Sequence, residues 1–296
     1  MISNSDEQKD CDTVQAKPFV KWLGGKRRLL PELDSRLPQK IDVYFEPFLG
    51  GGALFFHLAH RISQAYLSDK NEELITAYKA IQTNPRLLIE ELSKHKNTQE
   101  HFLEVRAADR NDDYVWKWSP IQKAARFIYL NKTSFNGLYR VNSHGQFNAH
   151  YGHYENPKIV DAENIFACNS VLCRPAVFVD TKSYTSVLND IRSLINLGRT
   201  VFVYLDPPYI PISVSSSFVQ YNKDGFTMKD QLELKDFCDK LNSLGVKWMQ
   251  SNSSAPIVFE LYKDYKVETI SINRKVGAQV SSRKSVSETI IRNYDA

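Results

Sequence analysis

The feature that most constrains the fold is an alternation of short apolar segments with amphipathic helical segments. The most apolar segment, residues 201–205 (VFVYL), has no charged or amide side chain, whereas a strand with one solvated face alternates apolar and polar residues. Helical patterns flank it at residues 186–198 (SVLNDIRSLINLG) and 231–245 (QLELKDFCDKLNSLG), each ending at a glycine, a common helix stop. We therefore predict an α/β fold with a mainly parallel sheet that helices cover on both faces.

The same alternation extends towards both ends of the chain. The strand-like segment 41–47 (IDVYFEP) leads through a glycine turn into a helix, and the segment 65–69 (AYLSD) leads into a helix with an acidic first turn. Three further strand-like segments follow at residues 246–253, 265–273 and 288–294, with a basic loop before the last. All of these elements fit one predicted sheet domain.

Residues 78–158 have a different composition from the rest of the chain. They begin as charged helical sequence and continue as a polar, aromatic stretch (KTSFNGLYRVNSHGQFNAHYGHY) that is too irregular for a core element. We predict that they form an inserted, mostly helical domain. The sheet domain then covers residues 17–77 plus 159–296, and the polar residues 1–16 are predicted to be a disordered leader.

Composition places the chain among ordinary globular proteins. Of its 296 residues, 42% are hydrophobic and 24% are charged, and the net charge of +4 does not by itself imply nucleic acid. No stretch approaches the roughly 18 apolar residues of a membrane span. Residues 1–17 lack the apolar core of a signal peptide. We expect a cytoplasmic protein with reduced thiols.

Neither the cysteines nor the loop histidines predict a metal site. No second Cys or His pair stands at zinc-ligand spacing from a cysteine pair, and the histidines lie in a polar loop without Cys or acidic partners. The residues concerned are Cys11, Cys168, Cys173, Cys238, His144, His150 and His153. We expect a protein that needs no metal.

A glycine turn follows the first predicted strand, in the motif FEPFLGGG at residues 45–52. In open α/β sheets such a turn binds nucleotide-like cofactors, because glycine lets the backbone approach the ligand closely. Asp69 ends the next strand, 19 residues beyond Gly50, where an acid accepts hydrogen bonds from ribose hydroxyls. The spacing is not G-x-G-x-x-G, so the turn alone also suits an ordinary strand–helix connection. Together with Asp69 it favours a cofactor site.

The most specific motif is Asp206-Pro207-Pro208-Tyr209, directly after VFVYL. The strand places this motif at the carboxyl edge of the sheet, where such folds bind ligands. The prolines offer carbonyl groups without N–H donors, Asp206 adds a carboxylate acceptor, and Tyr209 offers a face on which a planar base can stack. These groups suit a site that accepts hydrogen bonds from a substrate amine.

Five motifs, in order along the chain, resemble those of the Dam-like, α-group (D12 class) DNA adenine-N6 methyltransferases. They are KWLGGK (21–26), FEPFLGGG (45–52), SDKN (68–71), SFNGLYRVN (134–142) and DPPY (206–209). The resemblance implies a Rossmann-like AdoMet-dependent methyltransferase core with an inserted target-recognition domain. It also implies S-adenosylmethionine (AdoMet) as methyl donor and double-stranded DNA as substrate, with methylation on N6 of a flipped adenine.

The resemblance assigns catalytic and cofactor roles residue by residue. The catalytic residues are Asp206, Pro207, Pro208 and Tyr209. The cofactor contacts carry over onto Trp22, Lys26, Glu46, Pro47, Phe48, Gly50, Gly52, Asp69 and Asp206. Among them, Asp69 suits the ribose and Phe48 suits the adenine face, while the carboxylate of the donor is the plausible partner of Lys26.

The resemblance also assigns DNA contacts. Lys21 and Arg140 are expected to contact guanines, Leu138 is expected to contact the thymine, and Phe135 and Asn136 are expected to occupy the gap left by the flipped base. The basic loop before the last strand carries Arg274, Lys275, Arg283 and Lys284 without an acid among them and suits phosphate contacts.

The expected target is GATC, although one position departs from the family pattern. Dam-like enzymes that methylate GATC usually have FNVPFG where this chain has FNAHYG, so Ala149 and His150 replace Val and Pro. A histidine side chain both donates and accepts hydrogen bonds, unlike proline. We expect G-A-T to be read unchanged. The fourth base is open between cytosine and any base, with cytosine favoured because a backbone contact from residue 150 survives the substitution.

Three alternatives fit less of the sequence. A nicotinamide oxidoreductase would also use the glycine turn and Asp69, but it leaves DPPY unexplained. AdoMet-dependent methylation of cytosine N4, RNA or protein glutamine shares a similar pocket, but not the motif order. A non-catalytic DNA-binding protein has no use for the cofactor turn. A monomer is sufficient for the expected reaction, and the resemblance also allows a cognate restriction endonuclease as partner.

Overall fold

The computed structural model describes residues 15–210, 226–272 and 286–295, and all elements below belong to these ranges. The strands are β1 (Val43–Glu46), β2 (Gln64–Asp69), β3 (Val177–Thr181), β4 (Val201–Leu205), β5 (Lys247–Ser253), β6 (Lys266–Ile272) and β7 (Val286–Arg292). They form one sheet in the order β3-β2-β1-β4-β5-β7-β6. Strands β1 to β5 are parallel, and β7 is antiparallel to β5 and β6. The predicted mainly parallel α/β sheet is thus confirmed.

The helices in these ranges cover both faces of the sheet. They are α1 (Leu30–Asp34), α2 (Ala53–Leu58), α3 (Glu72–Thr83), α4 (Pro85–Ser93), α5 (Gln99–Ala107), α6 (Asp113–Trp116), α7 (Pro120–Thr133), α8 (Ala162–Leu172), α9 (Leu188–Asn196), α10 (Met228–Ser243) and α11 (Pro256–Leu261). None of the described helices is long and apolar enough to cross a membrane.

Two hydrophobic clusters pack against the two faces of the sheet. Tyr44 and Leu67 point into the cluster that contains α2, α3 and α7, whereas Phe45 and Leu205 point into the one that contains α9 and α10. All residues of β4 are buried, because this strand lies in the middle of the sheet and is covered on both sides. The carboxyl end of β4 therefore has a fixed position.

Side-chain caps fix where the helices next to the sheet edge begin. The Asn71 side chain accepts a hydrogen bond from the Leu74 N–H and caps α3. This cap lies two residues after the end of β2. Thr227 and Asp230 form a capping box at the start of α10. Such caps typically stabilise a helix by ~1 kcal/mol. They set α3 and α10 directly behind the loops that carry the candidate site.

The sequence patterns did not predict β3 and α8. β3 lies at the edge of the sheet, and its residues alternate between buried Val177 and Val179 and exposed positions such as Phe178. Its apolar run, residues 176–179, is only four residues long, which is the shortest length that indicates a strand. In α8, polar residues such as Asn164 are buried among apolar ones, so the apolar stripe is interrupted. Both elements belong to the predicted sheet domain.

The predicted domain boundaries fall inside continuous structure. Helix α3 passes through residue 78 without interruption, and Leu74 and Phe127 share one hydrophobic cluster. Ala16 belongs to the predicted disordered leader, but it is 8% exposed and part of the same cluster. The predicted leader is therefore wrong at this residue. Residues 1–14 lie outside the described ranges. The division at 78–158 stays a prediction.

A buried arginine links α3 to α7. Arg126 of α7 is fully buried, and its guanidinium lies 3.0 Å from a Glu73 oxygen and 2.6 Å from an Asp109 oxygen. It also donates hydrogen bonds to the carbonyl groups of Val105 and Arg106. A buried charge with this many partners is costly to disturb. The first turn of α3 and the helices beyond residue 78 are therefore held together.

Candidate active site and nucleic-acid interface

The glycine turn (residues 46–52) connects β1 to α2 at the carboxyl edge of the sheet. Gly50 and Gly52 have φ values of +48° and +65°, which favour glycine because it lacks a Cβ. A Cβ at Gly50 would lie 2.6 Å from the Trp22 ring, and one at Gly52 would lie 2.6 Å from the Tyr78 hydroxyl. The turn needs glycine for its backbone shape and for these two close approaches.

Asp69, at the end of β2, fixes the position of the glycine turn. One carboxylate oxygen accepts a hydrogen bond from the Gly50 N–H at 2.9 Å, and the other accepts one from the Asn71 N–H at 2.9 Å. Burial raises the pKa of Asp69, and these backbone donors oppose the shift. Each carboxylate oxygen has further acceptor capacity. The ribose contact predicted for Asp69 is compatible with this geometry and stays a prediction.

Glu46 contributes a buried carboxyl group at the start of the turn. The Tyr44 hydroxyl donates a hydrogen bond to it at 2.8 Å. Burial raises the pKa of Glu46 to about 8, so most molecules carry it protonated at neutral pH. A protonated carboxyl group donates one hydrogen bond and still accepts others. Pro47 follows it and is also buried.

Phe48 brings three loops together at the sheet edge. Its ring stacks on Tyr184, which follows β3, with centroids 5.1 Å apart. The ring of Phe226, just before α10, meets Phe48 edge-on at 6.2 Å. Neither Tyr184 nor Phe226 belongs to a sequence motif. This aromatic group is the apolar part of the site and lies where the adenine contact of Phe48 is predicted.

Asp206, directly beyond β4, forms an ion pair with Lys26. The Lys26 Nζ lies 2.8 Å from Asp206 Oδ1 and 4.7 Å from the centroid of the Tyr209 ring, and it donates a hydrogen bond to the Gly24 carbonyl. Burial raises the pKa of Asp206 to about 6, and Lys26 opposes the shift. The predicted contact of Lys26 is the carboxylate of the donor, whereas in this structure its carboxylate partner is Asp206.

The rest of the Asp-Pro-Pro-Tyr motif is held by two side chains that no motif predicted. The Pro208 carbonyl accepts a hydrogen bond from Gln231 of α10 at 3.1 Å. The Tyr209 hydroxyl donates one to Glu288 of β7 at 2.8 Å. Gln231 occupies a buried position in the apolar stripe of α10, and a polar residue in such a stripe is the one sequence feature that marks it. No comparable feature of the sequence marks Glu288 as a partner of this motif.

Lys21 joins the KWLGGK segment to the predicted DNA-contacting residues. Its backbone N–H and carbonyl pair with the Asn131 side chain at 2.8 and 2.7 Å. The Lys21 side chain packs over Gly137, where a Cβ would lie 2.6 Å away, and its Nζ lies 4.6 Å from the centroid of the Tyr154 ring. The backbone of Lys21 is thus anchored by hydrogen bonds, whereas the residue as a whole is exposed to solvent.

Phe135 and Asn136 are exposed residues of the tight turn that follows α7. Phe135 is 55% exposed, and Asn136 has a φ of +55°, a conformation that asparagine tolerates better than most residues. The Phe135 N–H donates a hydrogen bond to the His150 carbonyl at 2.8 Å. An exposed aromatic ring on a fixed turn agrees with the predicted place beside the flipped base. The His150 side chain is exposed, as a DNA contact requires.

Arg140 points outward from the same loop and is paired within it. Its Nε donates a hydrogen bond to the Asn148 side chain at 2.7 Å, and its Nη2 donates one to the Asn148 carbonyl at 2.9 Å. These bonds use the Nε and Nη2 donors, so a bidentate contact to guanine would use the remaining guanidinium N–H groups or replace Asn148. Leu138 is half-buried. The two arginines predicted to contact phosphates, Arg274 and Arg283, lie outside the described residues.

Trp22 lies between the cofactor side and the DNA-contacting side. One part of its ring faces Gly50, and the ring stacks on Tyr139 with centroids 5.9 Å apart. The Tyr139 hydroxyl donates a hydrogen bond to Glu73 of α3 at 3.1 Å. The two predicted sets of residues are therefore connected by direct contacts. In the described ranges, no three His, Cys, Asp or Glu side chains form a group that could hold a metal ion.

These observations define a class of protein. A sheet in the order β3-β2-β1-β4-β5-β7-β6, with a glycine turn after β1 and Asp-Pro-Pro-Tyr after β4, is the core of a methyltransferase. Residues 22–276 match the model of the D12 class N6 adenine-specific DNA methyltransferases. The chain belongs to this family.

Relatives along nearly the whole chain agree with this assignment. Type II methyltransferase M1.LlaDCHI of Lactococcus lactis subsp. cremoris is 44% identical over 95% of this chain and 96% of its own length. Type II methyltransferase M.MjaIII of Methanocaldococcus jannaschii is 35% identical over 95% of this chain and 100% of its own. The DNA adenine methylase of Escherichia coli (strain K12) is 27% identical over 93% of this chain and 94% of its own length.

Proposed function

We propose that this protein transfers the methyl group of AdoMet to N6 of an adenine in double-stranded DNA, within GATC. The observation that carries the proposal is the meeting of the glycine turn, Asp69 and the Asp206–Tyr209 motif at one edge of the sheet. Membership of an adenine-specific DNA methyltransferase family supports the same reaction. The family also implies AdoMet as the donor.

The residues at the turn fit AdoMet. A Cβ at Gly50 or Gly52 would collide with the Trp22 ring or the Tyr78 hydroxyl, so glycine at these positions keeps the turn and Trp22 in the arrangement that a ligand would meet. Asp69 offers acceptors for ribose hydroxyls, Phe48 offers an aromatic face, and Glu46 offers a buried carboxyl group at the end of β1. When bound, AdoMet supplies an electrophilic methyl group. The roles of Trp22, Lys26, Pro47 and the glycines as cofactor contacts belong to this proposal.

Asp206 and Pro207 act on the amine. The exocyclic N6 of adenine is a poor nucleophile because its lone pair is delocalised into the ring. Hydrogen bonds from N6–H to the Asp206 carboxylate and the Pro207 carbonyl favour a pyramidal nitrogen with a localised lone pair. Lys26, 2.8 Å away, favours the ionised form of Asp206, and ionised Asp206 is the acceptor that this step requires. Fixed acceptors of this kind stabilise charge as it develops.

The adenine reaches this site by leaving the duplex. Tyr209 offers the face on which the flipped base stacks, which recovers part of an unstacking cost of a few kcal/mol. Phe135 and Asn136 fill the gap in the duplex, and Lys21, Leu138 and Arg140 contact the remaining bases of G-A-T. The exposure of Lys21, Phe135, Asn136 and Arg140 and the position of these residues on anchored turns support these roles. In this proposal, residues 78–158 form the target-recognition domain.

The fourth base depends on residue 150. The His150 carbonyl already accepts the Phe135 N–H, so its backbone position does not depend on the proline that relatives with FNVPFG carry. This contact supports GATC over GATN. The alternative function is methylation of cytosine N4, RNA or protein glutamine. In either case the protein acts with a cognate restriction endonuclease that recognises the same site, or without one.

Long-read sequencing of methylated adenines tests the proposal. DNA from cells that express only this methyltransferase is expected to carry N6-methyladenine in GATC. Methylation of all GATN sites would show that His150 has loosened the fourth position. A motif without GAT, or methylation only of cytosine, would refute the residue-by-residue assignment. Transfer of tritium from methyl-labelled AdoMet to a GATC duplex, with a GTTC duplex as control, tests the donor separately.

A further inference from the structure

We infer that Glu288 is a positioning residue for the target base, acting through the Tyr209 hydroxyl. The inference rests on the proposed function, because it assigns to Glu288 the task of holding the ring on which the flipped adenine stacks. The observation behind it is the 2.8 Å hydrogen bond from the Tyr209 hydroxyl to Glu288 Oε2. Glu288 lies outside the five ordered motifs, in the terminal segment 274–294 to which the family resemblance extends, and that resemblance assigns it no role.

The backbone of Glu288 is fixed on two sides. It pairs with Ser253 of β5 on one side and with Ile270 of β6 on the other, so β7 is an interior strand at this point. The Glu288 side chain has three torsions, but it starts from a fixed Cα and the residue is half-buried, which restricts where its carboxylate can lie. Glu288 therefore offers Tyr209 an acceptor at a set place in space.

Tyr209 has no such support from its own backbone. It lies in the loop after β4, outside any helix or strand, and its side chain can rotate about two torsions. The hydrogen bond at the tip of the ring removes that freedom. Lys26 Nζ lies 4.7 Å from the ring centroid, so the ring is held both at its tip and over its face. A ring held in advance loses less entropy when a base stacks on it.

The chemistry of the pair makes the effect large enough to measure. A hydroxyl donating to a carboxylate forms a charge-assisted hydrogen bond, about twice as strong as one between neutral groups. Gln in place of Glu keeps an acceptor oxygen at nearly the same place, and Leu removes it. Tyr209→Phe removes the other partner without removing the ring. These three substitutions isolate the hydrogen bond from the ring and from the charge.

The test is a double-mutant cycle with two readouts. The first is the fluorescence of a duplex with 2-aminopurine at the target adenine, measured on binding without AdoMet. The second is the single-turnover methylation rate. Glu288→Leu is expected to alter the bound-state fluorescence as Tyr209→Phe does and to slow methylation roughly tenfold. Glu288→Gln is expected to restore most of both. Glu260→Gln, on the exposed face of α11, is the charge control and is expected to match the wild type.

The decisive result is the combined variant. If Glu288 acts through Tyr209, Glu288→Leu adds nothing to Tyr209→Phe in either readout. Effects that multiply, or a Glu288→Leu variant with wild-type fluorescence and rate, would overturn the inference. If Glu288→Leu fails to fold, Glu288→Gln takes its place in the same cycle, because it too must have no effect once the Tyr209 hydroxyl has been removed. A wild-type protein that methylates no adenine would instead refute the proposed function.

Discussion

Two regions of the molecule satisfy their polar groups in different ways. One is the proposed methylation cleft, formed by the glycine turn, Asp69 and residues 206–209. The other is the proposed DNA-facing loop, residues 134–152. In the cleft, Asp69 and Asp206 are bound by groups from other elements that are themselves fixed, namely the glycine turn, the start of α3 and Lys26. In the loop, the exposed Arg140 pairs with Asn148, eight residues away in the same loop. Removing a buried partner leaves an unpaired group, whereas an exposed pair can exchange its partner for a base or for water.

This difference assigns the methylation reaction to the cleft and the choice of target sequence to the loop. A reaction that depends on fixed acceptors requires a site built before substrate arrives. A surface that reads bases must release its internal hydrogen bonds at little cost, because the same groups then bind DNA. Substitutions in the cleft are therefore expected to abolish turnover, and substitutions in the loop are expected to alter the choice of target. The predictions below test this division.

The largest effect is expected for Asp206→Ala. The substitution removes the carboxylate that accepts the N6–H hydrogen bond and leaves Lys26 without its 2.8 Å partner. We expect the methylation rate to fall by about a hundredfold or more, while DNA affinity stays close to that of the wild type. Single-turnover methylation and a gel-shift assay measure the two properties. Turnover at the wild-type rate would refute the assignment of Asp206.

Gly50→Ala is expected to reduce AdoMet affinity about tenfold or more. A Cβ would collide with the Trp22 ring at 2.6 Å, on a backbone with a φ of +48°. Gly145→Ala in the DNA-facing loop is the matched control, because Gly145 also has a positive φ, +76°, but nothing lies within 4 Å of its Cβ position. Calorimetry with AdoMet measures both variants. Equal losses would show that a Cβ at a positive φ disturbs the fold in general, and would contradict a specific effect of the clash with Trp22 on the cofactor site.

Arg140→Ala is expected to loosen target choice without affecting the cofactor. Loss of a bidentate contact to guanine costs about 1–3 kcal/mol of discrimination, so the preference for GATC over a duplex with that guanine replaced should fall about tenfold. Arg192→Ala, an exposed arginine on α9, controls for the loss of positive charge. Competition between the two duplexes for methylation measures the ratio. An unchanged ratio would contradict the guanine contact.

The smallest effect concerns pH. Because the pKa of Asp206 is raised to about 6 and the reaction needs the ionised form, the single-turnover rate should rise with pH through this value and level off above it. Lys26 opposes the rise in the pKa of Asp206, so Lys26→Ala should move the midpoint to higher pH. Pre-steady-state rates between pH 5 and 8, a range chosen around that pKa, test the direction. A midpoint that moves down would show that another group limits the rate.

The part of the site that comes from consecutive residues was predictable from the sequence. FEPFLGGG and DPPY contain both their structural and their chemical residues in one short segment, and Asp69 ends the neighbouring strand. The contact between Tyr209 and Glu288 joins residues 79 positions apart. It exists because β7 pairs with β5, and no local pattern contains that information. Tyr184, which stacks on Phe48, was missed for the same reason.

The partner of Lys26 shows a second limit. The resemblance assigns Lys26 to the carboxylate of the donor, whereas its neighbours in the structure are Asp206 and Tyr209. A motif identifies which side chains share a pocket, but the pairing inside the pocket depends on distances that only coordinates give. Edge strand β3 is the corresponding case in the fold, since its short apolar run does not reveal that it pairs with β2 at the edge of the sheet.

The position of β7 has a consequence for the order in which the protein assembles. β7 follows β6 in the chain but lies between β5 and β6 in the sheet. A ribosome therefore releases β6 before the strand that joins it to the rest, and β5 keeps an open edge in the meantime. Glu288 arrives with β7, so a partly translated chain lacks the support for Tyr209. Translation itself thus delays completion of the methylation cleft until this hairpin has been synthesised.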